Sequence, residues 1–236
     1  MRYGGRIASA DNSSHPSPDQ VAPNRLERYF DSHTAGPGVE KWRHYFGIYD
    51  RHFARFVGNE VHVVEIGVSS GGSLQMWRDY FGAECHVYGI DIDPACRAHE
   101  TDFIRIHIGD QSDPRFWTGV LREIPRIDIL IDDGGHHVHE QRITFEAVYP
   151  HLQPGGVYLC EDIHEIDHPF LGYVAGLSRS LHAWRRYARG EHTTSNCQQM
   201  IQSMHLYPYV TVIERPQVAP LGLPSQRRGT EWRQVS

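Results

Sequence analysis

A chain of 236 residues, 39% of them hydrophobic, is long enough for one sizeable core and too short for two ordinary domains plus linkers. A formal charge of -6 with no cationic stripe argues against nucleic acid as a partner. No run approaches the roughly 18 apolar residues of a membrane span and the N-terminus has no apolar leader core, so a cytoplasmic protein without a membrane partner is expected.

Residues 1–24, rich in Ser, Pro, Asn and Gly, read as a flexible arm. Residues 25–58 carry two helical patterns, NRLERYFDSH and VEKWRHYFGIYDRHFARFV, divided by the GPG break at Gly36–Gly38. Trp42, Tyr45, Phe46, Tyr49 and Phe53 form the face expected to pack on the core, with Trp42 or Tyr45 able to edge a cofactor pocket. Lys41 is the single lysine among 23 basic residues. That arginine bias points to a GC-rich genome, and no function is assigned to Lys41.

Between residues 59 and 216 strands alternate with helices. Val61–Val68 is a strand, Ser73–Phe81 a helix, Cys85–Ile92 a strand, Pro94–Glu100 a short helix and Phe103–Gly109 a strand. Pro114–Ile124 is a helix with Pro in its first turn, Ile127–Ile131 a strand, His139–Leu152 a helix stopped by QPGG, and Val157–Cys160 a fifth strand. Phe170–Arg189 follows as an amphipathic helix that includes Leu171, Val174, Leu177, Leu181 and Trp184. MHLYPYV and VTVIERP lie too close together for a helical crossover and read as a hairpin at the sheet edge. Apolar runs separated by helices imply a parallel sheet covered on both faces, an α/β doubly wound domain. Residues 217–236 read as a polar tail. Cys85, Cys96, Cys160 and Cys197 lack CxxC spacing and are expected as free thiols.

Two strand ends gather acid: Asp132-Asp133 after the fourth strand and Glu161-Asp162 after the fifth. One such end is usually a cap or an ion pair, but two across one β-α-β unit suggest a divalent cation. Histidines crowd the same stretch, yet no HxxxH pair or cysteine set supports zinc. His137, His139, His164 and His168 are expected in the substrate cleft or at the surface. In a sheet of this kind ligands sit at the carboxyl ends of the strands. The loop from Glu65 to Ser73 (EIGVSSGGS) permits close backbone approach at Gly67, Gly71 and Gly72 but is not GxGxxG, and acid beside it disfavours pyrophosphate. The sulfonium and ammonium groups of S-adenosylmethionine suit it better, with Glu65, Gly67, Ser69 and Ser73 as contacts. Asp91 is placed for the ribose hydroxyls, Asp110 and Gln111 for the adenine edge, and Asp132 as a cofactor-side or structural neighbour.

Together and in this order, these features resemble the class I S-adenosylmethionine-dependent methyltransferases, the QPGG turn and trailing hairpin included. The resemblance, over roughly residues 60–215, implies a Rossmann-like seven-stranded sheet with an antiparallel last strand, preceded here by N-terminal helices. KWRHYFGIYDRHF, EIGVSSGGSL, DDGGHH, CEDIHE and HLYPYVTVIER resemble more narrowly the magnesium-dependent O-methyltransferases of macrolide sugars, of the mycinamicin type; proteins described as cephalosporin hydroxylases are similar as well. That resemblance implies Asp133, Glu161 and Asp162 as ligands of Mg2+, His136 as general base, and a homo-oligomer. The implied acceptor is a glycosylated small molecule, methylated on a sugar hydroxyl as in antibiotic tailoring. A catechol-type reaction on an aromatic diol and a non-catalytic cofactor-binding accessory protein are the alternatives. The mycinamicin type carries an additional N-terminal domain with no counterpart in these residues, so no acceptor contact is carried over from it.

Overall fold

The structure, a computed structural model, describes residues 22–165, 167–183, 194–226 and 228–230. The arm as far as residue 21, Trp184 with the expected end of its helix, and the last residues of the tail lie outside the described residues. The apolar runs become β1 (Val61–Ile66), β2 (Cys85–Asp91), β3 (Ile104–Ile108), β4 (Ile127–Asp132), β5 (Leu152–Cys160), β6 (Ser203–Tyr207) and β7 (Val210–Glu214), one sheet in the order β3-β2-β1-β4-β5-β7-β6. Strands β1 to β5 are mutually parallel, and β7 runs antiparallel between β5 and β6.

Every residue of β1 and β4 is buried, as both faces of a parallel sheet require. Alternation then divides the core. Val61, Val63, Ile129, Ile131, Val157 and Leu159 face α1 (Arg25–Ser32), α2 (Tyr45–Phe53) and α3 (Gly72–Phe81), where Tyr49, Phe53 and Trp77 are fully enclosed. Val64, Ile66, Leu130, Tyr158 and Cys160 face α4 (Pro114–Glu123), α5 (Val138–Val148), α6 (Pro169–Leu181) and α7 (Asn196–Met200). Each enclosed aromatic contributes on the order of 2–3 kcal/mol by leaving water. Strand order reverses between β1 and β4, so the loops after these two strands open a crevice at the carboxyl edge of the sheet.

Three expected boundaries move, each for a physical reason. The second N-terminal helix begins at Tyr45, not Val39, because residues 39–44 are drawn across the carboxyl ends of the strands; Trp42 is consequently 52% exposed instead of packed in the core. β5 begins at Leu152. Leu152 pairs with Ile127 and Val157 with Ile129, so residues 153–156 bulge within the strand, and Gly155 turns at φ +77°. α6 closes at Leu181, where the His182 N–H bonds back to Ser178. The four cysteines are free, and Cys85, Cys96 and Cys160 are buried. Among the described residues no helix is long and apolar enough to cross a membrane.

Candidate active site

The Glu65–Ser73 loop and the loop after β4 meet at the strand-order reversal. Gly67 adopts φ +91°, and a Cβ there would lie 2.0 Å from the Asp133 carbonyl oxygen, so only glycine lets the loops close. Asp91, at the tip of β2, braces the first loop: one carboxylate oxygen accepts the Val68 and Ser69 N–H groups at 2.9 and 3.0 Å, and the other accepts the Asp93 N–H at 2.9 Å. Burial opposes its charge, yet these backbone donors outweigh it and hold Asp91 below the usual carboxylate range.

Two adjoining cavities share Gly67, Ser69 and Asp133. The smaller, of about 350 Å³, is lined by Asp91, Ile92, Asp110 and Gln111 and the Gly134-Gly135 turn. Gln111 shapes it, accepting the Gly135 N–H at 3.0 Å and donating to Asp132 and Thr144. The larger, of about 800 Å³, is lined by residues 38–43 together with Ser73, Asp133, His136, Glu161 and Asp162. Of the residues expected on the cofactor side, Gly67, Ser69, Ser73, Asp91, Asp110 and Gln111 line these cavities, whereas Glu65 and Asp132 line neither; Glu65 is buried behind Ser73. Asp132 is buried below the floor, accepts from Gln111 Nε2 and Tyr158 Oη at 3.1 Å each, and lines neither cavity; burial pushes its carboxyl up to about 6.

Asp133, His136 and Asp162 converge from the tips of β4 and β5, each offering a ligand atom within 4.8 Å of the others. His136 Nε2 stands 4.0 Å from Asp133 Oδ1 and 3.9 Å from Asp162 Oδ2. His136 and Asp162 hold left-handed backbone, φ +59° and +56°, a strain of about 1–3 kcal/mol each that concentrates at functional sites. Tyr45 Oη sustains it at Asp162, donating to Oδ1 at 2.6 Å and accepting the backbone N–H at 3.4 Å; His168 Nε2 meets the His136 carbonyl at 2.9 Å. Glu161 is enclosed, with Oε1 accepting from Tyr49 Oη at 2.7 Å. A third cavity, of about 310 Å³, continues past His136 between His137, His139, His164 and His168.

The residue at the centre of this site had no role legible in the sequence. Lys41 Nζ contacts Asp133 Oδ2 and lies 3.0 Å from Glu161 Oε2 and 3.8 Å from Glu65 Oε1, with its side chain 3% exposed. Burial disfavours the ammonium, but Glu161, Asp133 and Glu65 outweigh that and keep it charged far above neutrality. Tertiary attraction to these acids is what unwinds the expected helix at 39–44, and the Gly72 N–H fixes the strap by bonding the Gly38 carbonyl at 3.0 Å. The uniqueness of Lys41 in composition was the signal that could have found it.

The residues fit a divalent cation and a cationic cofactor. Glu65, Asp133, Glu161 and Asp162 crowd four carboxyl groups around one ammonium; burial pushes the Glu65 and Glu161 carboxyls up, so a further cation would favour their ionised form, and hard oxygen donors suit magnesium. Glu65, wholly buried, bonds Ser73 Oγ through Oε2 at 2.8 Å while Oε1 has no hydrogen-bond partner. Desolvation drives its carboxyl up to about 7, against the pull of Lys41.

Comparison with known proteins agrees with this geometry. Residues 64–163 match a family described as a methyltransferase domain. The chain is 33% identical over 201 residues to the 8-demethyl-8-alpha-L-rhamnosyl tetracenomycin-C 2'-O-methyltransferase of Streptomyces olivaceus, covering 75% of this chain and 52% of that one. It is 40% identical over 122 residues to the mycinamicin VI 2''-O-methyltransferase of Micromonospora griseorubida, covering 49% of this chain and 30% of the relative. Among solved structures it superposes on the MycE methyltransferase of the mycinamycin biosynthetic pathway, in complex with Mg, SAH and mycinamycin VI. That match has a TM-score of 0.67 and 28% identity, over 85% of this chain and 55% of the other. The chain spans about half or less of the length of these relatives.

Proposed function

We propose that this chain is a methyltransferase of the kind it resembles, the sugar O-methyltransferases of macrolide and tetracenomycin pathways, and that it methylates a sugar hydroxyl of a glycosylated small molecule. The observation that carries the reading is the convergence of Asp133, His136 and Asp162 beside the cavity shared with the glycine loop. S-adenosylmethionine would supply an already activated methyl group, held by Gly67, Ser69 and Ser73 with the buried Glu65 carboxyl behind Ser73 offsetting its positive charge and Asp91, Asp110 and Gln111 on the nucleoside side. Magnesium, with Asp133, Glu161 and Asp162 as its protein ligands, would act as a Lewis acid that lowers the pKa of the acceptor hydroxyl.

The chain's own part is positioning and proton removal. His136 takes the hydroxyl proton, and the carboxylates 3.9 and 4.0 Å from Nε2 stabilise the imidazolium that forms. The Asp91 brace fixes the loop that must hold the donor in line with the acceptor oxygen, where alignment supplies much of the acceleration. Incubation with S-adenosylmethionine and a panel of glycosylated metabolites, read by mass gain of one methyl for hydrogen, tests the reading. Chelation should abolish turnover and magnesium restore it. His136→Ala should lower kcat by about a hundredfold or more and leave cofactor affinity unchanged. Turnover indifferent to chelator would remove the metal, and a full-speed His136→Ala would remove the base.

A further inference from the structure

Lys41 is the one lysine in a chain that uses arginine at every other of its 23 basic positions. A composition that replaces lysine elsewhere keeps it where a guanidinium will not serve. An ammonium is a compact point charge on a flexible stem, whereas arginine brings a rigid planar fork. Here the charge sits where the strand-tip acids meet, in contact with Asp133 Oδ2, 3.0 Å from Glu161 Oε2 and 3.8 Å from Glu65 Oε1.

The Asp133 and Glu161 oxygens belong to two of the three acids assigned above to the divalent ion. The remaining ligand oxygens are unequal in their commitments. Asp133 Oδ1 and Asp162 Oδ2 face His136 across about 4 Å and are open to a further cation. Glu161 has Tyr49 on one oxygen and Lys41 on the other, so a metal entering its shell must share an oxygen with one of these donors or displace it. An ammonium and a doubly charged ion on the same carboxylate oxygens also repel each other at short range in a poorly solvated site. The strap at 39–44 is free of helix and strand, and residues 38–43 line the large cavity, which gives the side chain a path outward.

We propose that Lys41 is a tethered stand-in cation. Its ammonium holds Asp133 and Glu161 in place while no metal is bound, and a divalent ion exchanges with it on binding. The proposal rests on the divalent-ion reading of the site. Lys41 acts through the two acids and is a positioning residue.

The absence of any other lysine makes the test direct. The whole wild-type protein is treated with an amine-acetylating reagent with and without saturating magnesium chloride, and Lys41 modification is followed by peptide mass, the N-terminal amine serving as internal control. Lys41 should be protected without metal and react about tenfold faster or more with it, the control staying constant. An unchanged rate overturns the exchange. In parallel, Mn2+ affinity is measured by electron paramagnetic resonance on wild type and Lys41→Met; the variant should bind about tenfold tighter, and equal or weaker binding counts against the proposal. The labelling arm uses wild type alone and so stands whether or not the variant folds. If neither protein binds Mn2+, the divalent reading falls and the proposal with it. If Mn2+ binds while Lys41 stays protected, the proposal alone is refuted.

Discussion

Glu65→Gln should separate what the site costs in stability from what it gains in binding. The Glu65 carboxyl is wholly buried and its pKa is raised from 4.5 to about 7, chiefly by desolvation, with Lys41 opposing and Asp133 reinforcing. A rise of that size corresponds to about 3 kcal/mol between the two protonation states. The sign follows from the raised value. The folded protein binds this proton more tightly than the unfolded chain, so the contribution to stability is fully present below about pH 4.5 and is lost as pH climbs to about 7. Glutamine keeps the shape and can still accept from Ser73 Oγ, which lies 2.8 Å from Oε2, but it cannot ionise. At pH 5 the metal- and cofactor-free variant and wild type should melt nearly together. At pH 8 the variant should be more stable by about 3 kcal/mol, or about 6–12 °C in Tm for a chain of this size. On the proposed function, S-adenosylmethionine binding, measured by calorimetry at pH 8, should weaken because the buried anion behind Ser73 that offsets its positive charge is gone. Melting curves that stay parallel from pH 5 to 8, or undiminished cofactor affinity in the stabilised variant, would refute the reasoning.

Three further outcomes follow from single contacts. Tyr49→Phe removes the hydroxyl 2.7 Å from Glu161 Oε1 and should lower stability by about 2 kcal/mol, a drop of about 4–8 °C in a thermal melt of the metal-free protein. Gly67→Ala forces a Cβ to 2.0 Å from the Asp133 carbonyl oxygen at φ +91°. It should cost about 3 kcal/mol or more and weaken S-adenosylhomocysteine binding at least about tenfold by calorimetry. Trp42 borders both the large cavity and an apolar shelf with His44, Ile48, Tyr207 and Tyr209, and under the proposed function this shelf would receive the part of the acceptor remote from the reacting hydroxyl. Trp42→Ala should raise KM about tenfold for an acceptor with a large apolar aglycone and leave KM for the simple methyl glycoside of the same sugar unchanged.

The order of strands and helices, and the gathering of acids at one edge of the sheet, were legible in the sequence. Parallel β-α units carry every strand's carboxyl end to the same side, so acids written at the ends of separate strands must meet there. Element order places Gly67, Asp91 and the acidic strand ends at one edge, the family resemblance singles out Asp133, His136, Glu161 and Asp162 there, and the structure brings all six to two adjoining cavities. Neighbouring residues at one strand tip were harder to divide. Asp132 and Asp133 point to opposite faces, and only the fold shows Tyr158 and Gln111 waiting on the buried side for one of them. Residues 39–44 were beyond local reading altogether. Their helical spacing is a weak preference of a few tenths of a kcal/mol per residue, whereas the acids that capture Lys41 lie 92 and 120 positions away along the chain and act through a site from which water is largely excluded. Periodicity fixed the scaffold, because it is a property of adjacent residues; the central cation of the site was decided by through-space attraction that exists only once the sheet has formed.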